Sequence, residues 1–230
     1  MIDSILLKGR NGTKKLITFE KDGRINIPQK RYFNELFNDN LSVKTNYNEF
    51  AYFGAFRCAK SFSEQAAVYL LGTKYRNLRV LYVRDTYDQL TSSVIPQFNK
   101  EFEMLGNYEY AKSYREAVFT NKSHIYFRAF NYDTDILSAE YDVIAGCQIE
   151  DIPEELFLQF FGRMSGKILP RPLLLVEGNP SNNYVKTRYK DRTTEELKAK
   201  GIFFVQGKTK DNPHVTEAYI QRLYENYPKF

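Results

Sequence analysis

Apolar residues gather in short runs at positions 50–53, 80–83, 124–127, 143–149, 173–176 and 202–205, each rich in β-branched and aromatic side chains. Runs of that length and composition predict buried strands. Between several of them the period changes to that of a helix. Positions 61–74 and 86–105 carry apolar residues at helical spacing, and Pro153 followed by Glu154 and Glu155 opens a third helix, with proline at its first position and acids in its first turn. Positions 182–200 and 215–227 predict two more. Strands alternating with helices imply parallel pairing through right-handed crossovers, hence a three-layer α/β/α domain built on a mostly parallel central sheet. Ligands of such sheets bind beyond the carboxyl ends of the strands, so chemistry is sought in the residues just after each run. No repeat, low-complexity segment or Pro/Gly-rich linker breaks the pattern, and one domain is expected.

Composition adds limits rather than direction. A chain of 230 residues is long enough to bury about 70% of the surface its unfolded form exposes. With 43% hydrophobic and 27% charged residues it reads as an ordinary soluble protein, and no stretch approaches the ~18 apolar residues of a membrane span. The start, Met1-Ile2-Asp3-Ser4, lacks the order of a signal peptide, and Cys58 and Cys147 are too few for a disulfide scaffold. A reducing cytoplasm is expected. Thirty-three Lys and Arg against 28 Asp and Glu give +5, which permits a polyanionic partner without demanding one. The 18 Tyr and 18 Phe are read as core and strand residues, because alternating aromatics suit a pleated surface.

After the run at 50–53 comes Gly54-Ala55-Phe56-Arg57-Cys58-Ala59-Lys60-Ser61 and then a helical pattern. Strand, loop and helix in that order approximate the phosphate-binding loop G-x-x-x-x-G-K-[ST]. There, backbone N–H groups and a helix N-terminus cradle phosphates, the lysine reaches the β/γ oxygens and the hydroxyl meets Mg²⁺. Lys60 and Ser61 fit those roles. Ala59 stands where the pattern has its second glycine, and its Cβ is expected to strain the loop. The alternative is an ordinary strand-to-helix turn with a solvated lysine. A phosphate site also needs one acid for the metal and another to orient water. The run at 143–149 leads into Glu150-Asp151: Glu150 would sit on the metal, directly or through water, and Asp151 would polarise the attacking water. Glu154 and Glu155 are read as helix N-terminal acids. The run at 173–176 ends in Glu177-Gly178-Asn179-Pro180, where an amide side chain could sense the γ-phosphate. Alone, Gly-Asn-Pro is a common turn.

In this order the motifs resemble those of the large terminase subunits of tailed phages. The resemblance runs through nearly the whole chain: Ile27-Pro28-Gln29-Lys30-Arg31-Tyr32-Phe33, the phosphate loop, Val80 to Val94, Ile125 to Phe130, Ile149-Glu150-Asp151, Gly178-Asn179-Pro180 and Asp211-Asn212-Pro213. It implies an ASCE-type P-loop fold that hydrolyses ATP with Mg²⁺ to drive double-stranded DNA through a portal protein into a procapsid, alongside a small terminase subunit, in the host cytoplasm. It also implies a homo-oligomeric ring, commonly of five subunits, and is compatible with a monomer for the isolated domain. Gln29 becomes the adenine-contacting residue, Gly178 to Pro180 the coupling motif, and Arg57 an arginine near the phosphates. Arg128 and Arg163 are both candidates for an arginine finger given to a neighbouring subunit. Ion pairing within the chain is the competing reading for each.

On this resemblance residues 1–49 form an N-terminal segment with the adenine region, 50–210 the P-loop core, and 211–230 a helix leading towards a nuclease domain. Family members continue into that RNase H-like domain; this chain is expected to be a shortened form or one half of a split gene, without nuclease activity. Ala59, and Asp151 in place of a glutamate, are the other departures, and both bear on turnover. Two further readings stay open: another P-loop ATPase moving on nucleic acid without a capsid, and a degenerate P-loop domain that binds without hydrolysing. Lys186, Arg188, Lys190 and Arg192 are candidates to line a DNA path, although a charge run on a helix is more often a solvated face.

Overall fold

The computed structural model describes residues 1–130 and 139–226; the last residue of the helix expected at 215–227 and the segment Tyr227 to Phe230 lie outside them. Strand β5 (Glu49–Gly54) lies between β12 (Ile202–Gly207), at one edge of the sheet, and β11 (Leu173–Gly178), and the sheet continues through β10 (Val143–Cys147), β6 (Arg79–Arg84) and β9 (His124–Ala129). All six run parallel. Beyond β9, a hairpin of β8 (Glu116–Phe119) and β7 (Tyr108–Ala111) adds two antiparallel strands.

The period-two alternation of strand side chains explains the three layers. Phe50 and Tyr52 of β5, Leu173 and Leu175 of β11, and Val143 and Ala145 of β10 face one core; Ala51 and Phe53, Leu174 and Val176, and Ile144 face the other. The first core is closed by α1 (Ile27–Leu36), α2 (Lys60–Lys74) and α4 (Ile95–Phe102), which supply Tyr32, Phe33, Ala67, Leu71, Phe98 and Phe102. The second is closed by α5 (Glu154–Arg163) and α6 (Thr194–Ala199) through Phe157, Phe160 and Leu197. The remaining helices are α3 (Tyr87–Gln89) and α7 (Glu217–Asn226). No helix of the described residues is long and apolar enough to cross a membrane.

Three expectations change. First, the stretch at 143–149 stops pairing at Cys147; Gln148 takes a left-handed conformation (φ 49°) and Ile149–Asp151 form a 3-10 turn, so Glu150 and Asp151 follow the strand rather than end it. Second, the helix expected at 86–105 is interrupted by a π-turn at Leu90–Val94 just ahead of Pro96, whose ring crowds the preceding turn and which offers no amide to it. Third, the helix expected at 182–200 is broken. A π-turn at Lys186–Lys190 ends it, and Thr193 starts α6 with a capping box, its hydroxyl accepting from the Glu196 amide while the Glu196 carboxylate accepts from the Thr193 amide. Not anticipated were the N-terminal hairpin of β1 (Ser4–Lys8) and β2 (Lys14–Thr18), the two-residue pair β3 (Glu20–Lys21) and β4 (Arg24–Ile25), and the β7–β8 hairpin.

Candidate functional site

Because β5, β11 and β10 are parallel neighbours, their carboxyl ends open on one edge of the sheet. The loop that leaves β5 is held there from several sides. The Gly54 Cα sits so close to Gly207 of β12 that a Cβ would collide with its carbonyl. The Cys58 carbonyl accepts from the Tyr52 hydroxyl at 2.8 Å and the Asn26 amide at 3.3 Å; Thr209 Oγ1 donates to the Phe56 carbonyl at 2.8 Å and Asn212 Nδ2 to the Arg57 carbonyl at 2.7 Å. Ala59 takes φ 77° as it enters α2. This is the conformation for which the phosphate-loop pattern has glycine, and for alanine it costs about 1–2 kcal/mol.

Lys60 and Ser61 open α2, and Lys60 is buried. A cleft of about 810 Å³ is lined by Gln29, Arg57, Cys58, Ala59, Lys60 and Ser61 among others. Gln29, far upstream in sequence, thus shares the cleft with the loop; Asn26, which caps α1 on the Gln29 amide, also bonds the loop. Gly54, Ala55 and Phe56 are outside the lining, and the Cys58 side chain is buried. The Arg57 guanidinium lies 4.2 Å from the ring centre of Tyr219 on α7.

The acid side departs from expectation. The Ser61 hydroxyl is bonded not to Glu150 but to Glu177 Oε1, at 3.0 Å, and the same oxygen accepts from the Cys147 thiol at 2.8 Å. Glu177 is the penultimate residue of β11, fully buried, and pairs across the ladder with Cys147 at the end of β10. Glu64, one turn into α2, completes the group, and one ligand atom from each of Glu64, Cys147 and Glu177 lies within 4.8 Å of the other two. Glu64 Oε2 accepts from the Tyr82 hydroxyl at 2.5 Å, while Glu64 Oε1 and Glu177 Oε2 are buried without a hydrogen-bond partner among the described residues. Burial, with Glu177 second, pushes the Glu64 carboxyl well above the usual carboxylate range, and burial likewise pushes the Cys147 thiol well above its ordinary value. Two orphaned carboxylate oxygens beside a hydroxyl form a hard-donor set that fits Mg²⁺.

Glu150 instead faces the turn at Gly178 and Asn179. Its Oε1 accepts from both the backbone and side-chain amides of Asn179, at 2.9 and 2.8 Å, and a Cβ on Gly178 would collide with its Oε2. Burial raises the Glu150 pKa against the lowering effect of the Asn179 bond. Asp151 is more open and sits 3.8 Å from the Arg84 guanidinium, which also reaches Cys147 Sγ at 3.4 Å and Gln89 Oε1 at 3.1 Å. Pro180 turns away, beside Val185 and Tyr189.

Arg128 is braced by the carbonyls of Tyr114, Arg115 and Phe127 and by Glu116. Arg163 ends α5, where its carbonyl accepts from Tyr141 just ahead of β10; that is the sheet edge opposite the phosphate loop. Arg188 does not present a free cation: it is paired with buried Glu49 at 2.6 Å and packed against Phe157 and Phe161. Sequence reasoning passes over Glu177, Glu64 and Arg84 as site residues. The available signal was a charged residue closing a wholly apolar run, Leu173-Leu174-Leu175-Val176-Glu177.

No family model matches the chain, and no curated protein does. Solved structures do. The large terminase of a thermophilic bacteriophage, in complex with ATP-gamma-S, superposes with a TM-score of 0.72 at 14% identity, over 88% of this chain and 49% of that one. The large terminase of bacteriophage HK97 gives 0.64 at 11% identity, over 88% and 47%. The ATPase domain of the Thermus phage P74-26 large terminase gives 0.51 at 14% identity, over 88% and 94%. The chain spans about half the length of the first two of these proteins. At these identities the likeness is one of fold, an α/β P-loop domain.

Proposed function

We propose that this chain is the ATP-hydrolysing domain of a large-terminase-type motor that moves double-stranded DNA into a procapsid. The observation that carries the reading is the meeting, on one sheet edge, of a strand–loop–helix turn with Lys60 and Ser61 at the helix start and a buried carboxylate bonded to that serine. Support also comes from the likeness in fold to terminase structures, one of which binds ATP-gamma-S.

In this reading the loop amides and Lys60 hold the β and γ phosphates, and Gln29 lies where the base would enter the cleft. The Ser61 hydroxyl with a carboxylate beside it would hold Mg²⁺, which when bound neutralises phosphate charge and orients the transferred group. Asp151, the open acid, polarises a water and accepts its proton as the water oxygen attacks the γ-phosphorus and the bond to the β-phosphate oxygen breaks, its electron pair leaving with ADP. Glu150, tied to Asn179, links that event to the strand end that follows. Portal protein, small subunit and a ring of copies belong to the same proposal, with Arg163 or Arg128 as the arginine given to a neighbour. A second reading, binding without turnover, is favoured by one observation: β10 ends in Cys147 and Gln148, neither of them an acid.

Steady-state ATP hydrolysis, with and without DNA and portal-bearing procapsids, decides between them. Lys60→Ala is expected to weaken nucleotide binding about 10- to 100-fold by removing charge-assisted bonds to phosphate and to abolish turnover. Binding that is undisturbed by Lys60→Ala would overturn the site; tight binding with no hydrolysis under any condition would establish the second reading.

A further inference from the structure

P-loop hydrolases in general set the hydroxyl at the start of the helix against an aspartate on the Walker B strand, and the two hold the metal of the nucleotide. Here β10 occupies that strand's place, but its last residue is Cys147, and the acids that follow make other contacts: Glu150 is bonded through Oε1 to Asn179, with its buried Oε2 unpartnered among the described residues but packed over Gly178, and Asp151 lies against Arg84. The neighbouring strand supplies what β10 lacks. Glu177 lies directly across the ladder from Cys147, and its Oε1 takes the Ser61 hydroxyl at 3.0 Å.

We propose that Glu177, on β11, is the carboxylate that takes the divalent cation of a bound nucleotide together with the Ser61 hydroxyl, the acid having moved one strand over. The inference rests on the nucleotide reading above and goes beyond it. Four observations support it. Glu177 Oε2 is fully buried and unpartnered among the described residues, a costly state for a carboxylate oxygen unless something cationic joins it. Glu64 Oε1 is orphaned in the same group, giving a second oxygen for the cation or one of its waters. The Cys147 thiol donates to Oε1 at 2.8 Å and so fixes the carboxylate's rotation, leaving Oε2 as the unused donor. Finally, Arg84 flanks the group from β6, a nearby positive charge that does not fill the donor set: its guanidinium reaches Cys147, Gln89 and Asp151 rather than either buried carboxylate.

The test uses Mn²⁺ as the probe and needs no turnover. Binding of Mn²⁺ to the ADP-loaded protein is followed by electron paramagnetic resonance, and ADP affinity is measured in chelator and in Mn²⁺. Glu177→Gln is expected to weaken Mn²⁺ at least about tenfold and to remove the gain in ADP affinity that Mn²⁺ brings, while chelator affinity holds. Glu150→Gln is expected to leave Mn²⁺ affinity within about twofold. Placing the acid back on β10, Cys147→Asp in the Glu177→Gln background, is expected to restore binding. Should Glu177→Gln fail to fold, Glu177→Asp and Ser61→Ala, each followed by the same resonance, are expected to weaken Mn²⁺ several-fold. Wild-type protein that binds ADP, with Mn²⁺ lost in Glu150→Gln and kept in Glu177→Gln, would overturn the proposal. Wild-type protein that binds no ADP, in chelator or in Mn²⁺, would overturn the nucleotide reading instead.

Discussion

Strands β10 and β11 leave the sheet side by side, yet they end in opposite ways. The end of β11 is a buried charge, Glu177, followed at once by Gly178 and Asn179. The end of β10 is a neutral thiol, Cys147, and its acids are deferred by Gln148 into a 3-10 turn. The two ends are nonetheless one unit: Cys147 donates to Glu177, and Asn179 donates to Glu150. Each strand's acid is thereby held by a donor from the other. An acid's position in sequence relative to a strand is therefore a poor guide to which group it serves; the ladder register and the donors that reach it decide.

Three substitutions probe this crossing. The largest effect is expected from Gly178→Ala, because a Cβ there meets both the Glu150 carboxylate and the Phe53 ring. Overpacking of that kind costs about 1–3 kcal/mol, and chemical denaturation should show it together with loss of the Glu150–Asn179 link. An unchanged midpoint would mean that Glu150 does not lie over β11. A pH-dependent effect follows from Glu64. Its folded-state pKa is raised well above 4.5, so the folded chain keeps a proton that the unfolded chain has lost. The contribution of Glu64 to stability is then fully present below about pH 4.5 and is lost as pH rises from there towards the folded pKa. In chelator, Glu64→Gln should flatten that fall, so that the variant gains on wild type in thermal melts as pH rises above about 4.5; parallel melts would place the buried charge elsewhere. The smallest effect belongs to the phosphate-loop side. Ala59→Gly releases the φ 77° conformation and should stabilise by ~1 kcal/mol without altering the acid group; destabilisation would show that the loop does not need a left-handed residue there.

The contrast also explains what was legible beforehand. The strands of the parallel sheet were written in short apolar runs, and the loop at 54–61 in its spacing between strand and helix; Gln29, Lys60 and Ser61, singled out on those grounds and on the resemblance, do line one cleft. Breaks in the helices were carried by local signals that outweigh periodicity, Pro96 and the Thr193–Glu196 capping box. The hairpins at 4–18 and 108–119 carry weaker alternation and depend on partners that sequence does not announce. The acids stand differently from the expected arrangement for another reason, with Ser61 bonded to Glu177 rather than Glu150. The apolar run at 143–149 continues past the last ladder residue because Ile149 is buried in the second core from the turn, not from the strand. Glu177 was passed over because its meaning depends on β11 lying between β5 and β10. Arg128, a candidate arginine finger, and Arg188, a candidate to line a DNA path, are engaged by Glu116 and Glu49.

The most direct measurement is the anomalous scattering of Mn²⁺ in crystals of the chain grown with ATP-gamma-S. The account predicts one manganese peak in coordination distance of the Ser61 hydroxyl and the Glu177 carboxylate, with the thiophosphate tail against Lys60. A peak on Glu150 or Asp151 with Glu177 left empty, or a nucleotide lodged away from the loop at 54–61, would contradict it.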